Sequence, residues 1–268
     1  MDFSVLMSVY YKDNPQWLKE AIDSVLNNTI KPNQIVLVVD GQIPNELEQV
    51  ITEYTDSLDI LRLEKNSGLG IALKQGLLKC KYPLVARMDS DDISLPMRFE
   101  LQLKEFEKNP NLTIVGSYMQ EIDSHTKENI SVRKVPLTNE DIRRYIKKRN
   151  PFNHSAVMFK KNDILGVGNY SSTMKFAQDY LLWMRLVNAN SQMKNIPEIL
   201  VNFRVDKNMF ARRSGYKYFK LKKTVYDELL RYKIINYFEY LFNLFVCFFV
   251  HVIMPNNMRE LFYKKVLR

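Results

Sequence analysis

Short apolar runs alternate with amphipathic stretches over the first 110 residues of the chain. Residues 3–10 are an almost unbroken apolar run, the pattern of a strand buried on both faces. After a turn at Lys12-Asp13-Asn14-Pro15, the positions Trp17, Leu18, Ala21, Ile22, Val25 and Leu26 share one face of a helix. A second apolar strand at 34–39 ends at Asp40-Gly41, and a helical stretch follows Pro44. A strand at 59–63, a helix over 69–78 and a strand at 82–86 come next. The last strand stops at Asp89-Ser90-Asp91-Asp92, and a helix over 96–108 follows, with Pro96 suited to its first position.

Beyond residue 110 the texture changes. Residues 113–118 and 132–135 read as strands, 139–147 as a helix, and 156–159 as an apolar run after Asn153-His154-Ser155. A loop rich in Gly, Asn and Ser at 166–173 leads to a helix whose face is Tyr180, Trp183, Met184 and Val187, which puts Asp179 in its first turn. The helix dipole favours a negative charge there, so Asp179 is either a capping carboxylate or a group able to take a proton. From Gly215 on, Leu221, Val225, Leu229 and Tyr232 form another helix stripe, and 237–254 is apolar apart from Glu239, Asn243 and His251.

Apolar strands alternating with helices predict an α/β fold, a mostly parallel Rossmann-like sheet with helices on both faces. Ligands bind such sheets beyond the carboxyl ends of the strands. Three exits carry suitable groups: Tyr10, Asp40 and the Asp89–Asp92 cluster; the other is followed by Asn66-Ser67-Gly68-Leu69-Gly70. Neighbouring carboxylates raise one another's cost of ionisation, and a hard divalent cation, Mg²⁺ or Mn²⁺, removes that cost. A capped turn is the alternative reading of the same residues. The dinucleotide and P-loop glycine fingerprints are both absent, which argues against a standard dinucleotide oxidoreductase or a P-loop enzyme.

Charge divides the chain. Residues 1–203 hold 25 acidic and 25 basic side chains, whereas 204–268 hold 14 Lys/Arg against 5 Asp/Glu, the whole of the net +9. A basic, aromatic-rich tail suggests an anionic partner. With three polar interruptions, 237–254 makes a poor membrane span and a better interfacial helix; docking on the protein or in a homodimer is the alternative. No recognition helix or single-strand motif accompanies the charge, so nucleic acid is not expected. Two distant cysteines, Cys80 and Cys247, exclude a zinc knuckle and fit a reducing compartment. Met1-Asp2-Phe3-Ser4 runs straight into a strand, so no secretory leader is expected.

Taken together, Ser4-Val5-Leu6-Met7-Ser8-Val9-Tyr10, Val38-Val39-Asp40-Gly41, Asn66-Ser67-Gly68-Leu69-Gly70-Ile71-Ala72-Leu73, Arg87-Met88-Asp89-Ser90-Asp91-Asp92 and Gln178-Asp179-Tyr180-Leu181-Leu182-Trp183 resemble, in order, the motifs of the family-2 inverting glycosyltransferases of GT-A fold. The likeness covers roughly residues 2–205 and is greatest to the branch that builds bacterial capsular, exopolysaccharide and O-antigen units. It implies a nucleotide-sugar-binding half at 1–110 and an acceptor and catalytic half at 111–205; the charge and apolar pattern beyond them mark 206–268 as a membrane-associating helical extension. On the donor side it implies Ser8, Val9, Tyr10 and Asp40 around the base, with Asn66, Gly68, Arg87 and Ser90 in the same motifs. Asp89 would lie at the ribose and beside the metal, and Asp91 on the divalent metal. Asp179 would be the base, with Gln178, Trp183 and His154 on the acceptor side, His154 reading equally as a simply hydrogen-bonded residue. Outside the likeness, Arg212 and Arg213 read either as a lid over the diphosphate or as basic surface.

The implied activity is transfer of a hexose from a UDP-hexose, such as UDP-glucose or UDP-galactose, to a lipid-diphosphate-linked saccharide. It would take place on the cytoplasmic, inner face of the plasma membrane. Three departures stand out: Gln178-Asp179 where the family usually has Glu-Asp, Asp40-Gly41-Gln42 where it has Asp-Asp-Gly-Ser, and Lys74, read as a solvated helix residue, where many relatives carry Asn. The rival readings are a metal-dependent nucleotidyltransferase and a non-catalytic sugar-nucleotide-binding scaffold. The first would want a glycine-rich loop after the first strand, which Tyr10-Tyr11-Lys12-Asp13-Asn14 is not.

Overall fold

The computed structural model describes residues 1–174, 176–205 and 215–255. Strand β1 (Phe3–Val9) is central to the first half. It pairs in parallel with β2 (Gln34–Asp40) on one side and β4 (Leu84–Arg87) on the other, and β3 (Asp59–Leu63) extends the parallel set beyond β2. Alternate residues of β1 enter different cores. Val5, Met7 and Val9 pack with α1 (Pro15–Leu26), α2 (Asn45–Glu53) and α4 (Arg98–Lys108). Leu6 packs with α3 (Leu69–Lys79) and α7 (Gln178–Asn188). Burial on both faces is why the strand is apolar throughout. Helix α1 starts where the Asn14 side chain accepts the Gln16 and Trp17 N–H groups, with Pro15 as its first residue.

The second half closes the sheet with mixed pairing. Strand β8 (Met158–Lys160) runs antiparallel between β4 and β6 (Leu112–Asp123). Strand β9 (Gln192–Val205) runs parallel to β6 and antiparallel to the two-residue β5 (Ile93–Ser94), and β7 (Asn129–Arg133) forms a hairpin with β6. The remaining helices of this half are α5 (Asn139–Tyr145) and α6 (Lys161–Gly166). The expected α/β architecture is present, with several elements shifted and with α6 and β9 in addition. The helix expected from Pro96 begins at Arg98, because β5 intervenes and the Pro96 carbonyl accepts Thr29 N–H. The strand expected at 132–135 lies at 129–133, where its register opposite Met119–Ile122 fixes it. The strand expected at 113–118 runs on to Asp123.

Helices α8 (Gly215–Arg231) and α9 (Tyr237–Phe248) follow. Val225 and Leu229 of α8 and Ile235 join the same core as α7, so the described part of the C-terminal extension is packed on the domain. No helix among the described residues is long and apolar enough to cross a membrane.

Candidate active site

The exits of β1, β2 and β4 meet at one edge of the sheet, and each is finished differently. Asp40, buried at the end of β2, accepts from Ser67 N–H at 2.7 Å and Gly68 N–H at 2.8 Å, one bond to each oxygen. Those bonds clamp the loop after β3 against β2. Gly41 makes the approach possible: its φ is +85°, and a Cβ there would lie 2.4 Å from the Asn66 nitrogen. The sequence reading gave Asp40 to the donor base. Its first task is to present the exposed Asn66 and Gly68 at the edge. Val9 is buried and offers only backbone; Ser8 is half-buried and Tyr10 exposed.

At the end of β4, one carboxylate oxygen from each of Asp89, Asp91 and Asp92 lies within 4.8 Å of the others. Asp13 adds a fourth carboxylate from the loop after β1, accepting Tyr10 N–H at 3.1 Å and Ser90 Oγ–H at 2.8 Å. The buried Ser90 therefore orients Asp13. Burial, with repulsion from Asp89 and Asp13, pushes Asp91 up to about 7. Burial, opposed by the bonds from Ser90 and Tyr10, moves Asp13 to about 6. Burial, with Asp91 and Asp89 beside it, sends Asp92 well above the ordinary carboxylate range. Asp92 accepts Arg204 N–H at 3.2 Å through Oδ1, and its buried Oδ2 has no partner among the described residues. An excess of hard oxygen donors, half-exposed at Asp89 and Asp91 and short of positive charge, fits Mg²⁺ or Mn²⁺.

Arg87 and Arg98 stand behind this cluster, both fully buried. Arg87 pairs with Asp89, and its Nε and Nη1 find no partner among the described residues. Arg98 donates to the Arg87 carbonyl at 2.6 Å, which holds the strand end, and burial lowers its pKa to about 9. From β9, the Arg204 guanidinium bonds the Asp91 carbonyl and Glu20.

Asp179 occupies the first turn of α7. The preceding Ala177 has φ +55°, a left-handed conformation that costs an alanine roughly 1–2 kcal/mol. Asn150 Nδ2–H donates to Asp179 Oδ2 at 2.5 Å, and Asn150 Oδ1 accepts Phe152 N–H at 3.1 Å. The second bond fixes which end of the amide faces the carboxylate. Burial raises the Asp179 pKa, against the lowering effect of Tyr180 N–H, Asn150, Arg87 and Arg133. The field of Arg87 thus reaches both Asp89 and Asp179.

The acceptor-side residues named from sequence are placed unequally. His154 Nε2 is 3.0 Å from Tyr170 OH, and burial, with Arg87 nearby, lowers its pKa well below the usual value, so the ring is neutral. Trp183 is fully buried against Phe152 and His154 and belongs to the core that α7 shares with α3. Gln178 lies beside Gly70, where a Cβ would come within 2.5 Å of the Ser171 carbonyl, so the start of α3 is packed on the segment entering α7. Arg212 and Arg213 fall outside the described residues. Asp13, Asn150, Tyr170 and Arg204 were not singled out from sequence. Asp13 carries only a turn signal, and Asn150 stands three residues before Asn153-His154-Ser155 with no signal of its own.

Residues 4–166 match the profile of glycosyl transferase family 2. The chain belongs to that family. A UDP-Gal:alpha-D-GlcNAc-diphosphoundecaprenol beta-1,3-galactosyltransferase of Escherichia coli is 38% identical over 268 residues, 99% of this chain and 96% of that one. The amylovoran biosynthesis glycosyltransferase AmsE of Erwinia amylovora is 38% identical, covering 84% of each chain. Among solved structures, S. aureus TarS in complex with UDP-GlcNAc superposes with a TM-score of 0.69 at 16% identity, over 99% of this chain and 76% of that one. The last likeness establishes the GT-A fold for this glycosyltransferase.

Proposed function

We propose that this glycosyltransferase is a metal-dependent, inverting hexosyltransferase. It would carry a hexose from a UDP-sugar to a hydroxyl of a lipid-diphosphate-linked saccharide during bacterial surface-polysaccharide synthesis. The observation that carries the reading is the placing of two separate acidic sites around one buried cation: Asp89–Asp92 at the end of β4 and Asp179 on α7, both within the field of Arg87. The activity for which the E. coli relative is named supports a UDP-sugar donor and a lipid-diphosphate acceptor.

Asp89 and Asp91 would hold the cation, which when bound neutralises charge on the departing diphosphate. Asp179, oriented by Asn150, takes the proton of the acceptor hydroxyl. That oxygen bonds to the anomeric carbon as the bond to the nucleoside diphosphate breaks on the opposite side. The leaving group keeps the electron pair, and the configuration inverts. Neutral His154, held from behind by the buried Tyr170, would face the acceptor side as a hydrogen-bonding group. The enzyme would work at the inner face of the plasma membrane, where a lipid-linked acceptor is held.

Calorimetric titration of UDP, with GDP and CMP as controls, tests the donor site. UDP-selective binding in Mn²⁺ that disappears in EDTA is expected; folded protein that binds no nucleotide would defeat the reading. A second expectation concerns Asn150. A donor to a carboxylate favours its charged form, so Asn150→Ala should raise the pKa of Asp179. The acid limb of the pH–rate profile should then move up by about one unit, roughly a tenfold loss below the limb and little above it. An unmoved limb would remove Asn150 from this role.

A further inference from the structure

Helix α9 presents two unlike faces. Its inner side is fastened. Asn236 and Glu239 form a capping box at its start, Tyr240 OH donates to Asp227 of α8 at 2.7 Å, and Cys247 is buried. Just past the helix, the His251 ring meets Tyr218 at 4.8 Å. Its outer side carries Phe238 at 83%, Phe242 at 67% and Phe245 at 69% exposure, with Leu241, Phe249 and Ile253 also exposed. The spacing puts them on one stripe of the helix and the turn that continues it. Soluble surfaces rarely leave so many large apolar side chains together without a partner.

The charge beside the stripe indicates which partner. Each acidic side chain of α8 and α9 is in an ion pair: Asp227 with Lys223, Glu228 with Arg231, and Glu239 with Lys147. Lys217 and Lys220 are exposed on α8. Lys220 lies over the Tyr216 ring, Tyr216 stacks on Phe219, and Phe219 meets Phe248 of α9. A basic border therefore adjoins the apolar stripe. A leaflet of anionic head groups is complementary to that border along its whole length. At about 1.5 Å per residue, the 12 residues of α9 and the five of the helical turn that continues it fall short of a hydrocarbon core of roughly 30 Å, so the described element suits an interfacial seat and not a span.

We propose that the outer face of α9 seats in an anionic lipid leaflet, with Phe238, Phe242, Phe245 and Phe249 among the acyl–headgroup boundary and Lys217 and Lys220 against the head groups. This deepens the reading of a lipid-linked acceptor. Lys147, bonded to Glu239 at 3.1 Å, lies three residues before Asn150, which holds Asp179. The seated helix is thus fastened to the segment that orients the proton acceptor, which brings the acceptor side to the leaflet.

Co-sedimentation of the full chain with vesicles of phosphatidylglycerol and phosphatidylcholine, against phosphatidylcholine alone, tests it. Binding is expected only with the anionic lipid and should weaken with salt. Phe242→Ser/Phe245→Ser should lower vesicle affinity by roughly tenfold or more, and Lys217→Glu/Lys220→Glu should lower it comparably; UDP binding should be unchanged in both. Absence of vesicle binding, equal binding to neutral vesicles, or full binding by the serine variant would overturn the proposal. So would a wild-type dimer that the serine variant converts to monomer. Loss of UDP binding by the wild-type protein with vesicle binding retained would instead sink the donor-site reading alone.

Discussion

Asp179→Asn is expected to lower transfer by roughly 10²–10⁴-fold, the usual contribution of a positioned general base, with UDP affinity unchanged. The substitution keeps the shape of the side chain, and the new amide can turn its oxygen to Asn150 Nδ2, so the bond that holds the segment together survives. What disappears is the site for the acceptor's proton. The pH dependence supplies an independent check. Burial destabilises the charged carboxylate and raises the Asp179 pKa, so the wild-type rate should fall with acid from a point above the ordinary aspartate range. The Asn variant should lack that limb. Single-turnover rates against pH, beside UDP titration, would test both parts. A variant that transfers at the normal rate would remove Asp179 from the base role.

How far such a site could be read before the fold was known depends on where each residue's partners lie in the chain. The carboxylates at 89, 91 and 92 lie within four positions, so their mutual repulsion was legible directly. Asp179 was legible because helical periodicity placed it in a first turn, where α7 has it. Asp13 was not, since its bonding to Ser90 spans 77 positions. Asn150 reaches Asp179 across 29. Strand β9 escaped notice for a related reason. Pro197 and several polar side chains interrupt it, and its pairing with β6 shifts register more than once, so no clean alternation marks it. Yet β9 carries Arg204, which reaches across 112 positions to Asp92. Trp183, expected on the acceptor side from its motif, is fully buried, a burial that its place in a motif does not reveal.

Asp91→Ala is expected to abolish metal-dependent nucleotide binding, a loss of at least ~100-fold in UDP affinity in Mn²⁺, with the residual affinity the same in Mn²⁺ and in EDTA. Asp89 and Asp91 are the half-exposed carboxylates of the cluster, whereas Asp92 is buried behind them, so deleting Asp91 leaves one accessible ligand, already paired with Arg87. The same change should act on folding in the reverse direction. In the metal-free protein, burial and the neighbouring Asp89 and Asp13 raise Asp91 from 3.8 to about 7. Between those values the native state binds a proton that the unfolded chain has released. Stability therefore falls as pH rises through that window, and at pH 8 the native state bears the full cost of an ionised, crowded carboxylate. The alanine variant lacks that cost. Without metal it should melt above the wild-type protein at pH 8 and nearest to it at pH 4, whereas Mn²⁺ should raise the melting temperature of the wild type alone. Thermal melts at both pH values, with and without Mn²⁺, separate a cation site from a merely buried acidic turn. Equal Mn²⁺ stabilisation of both proteins would place the cation elsewhere.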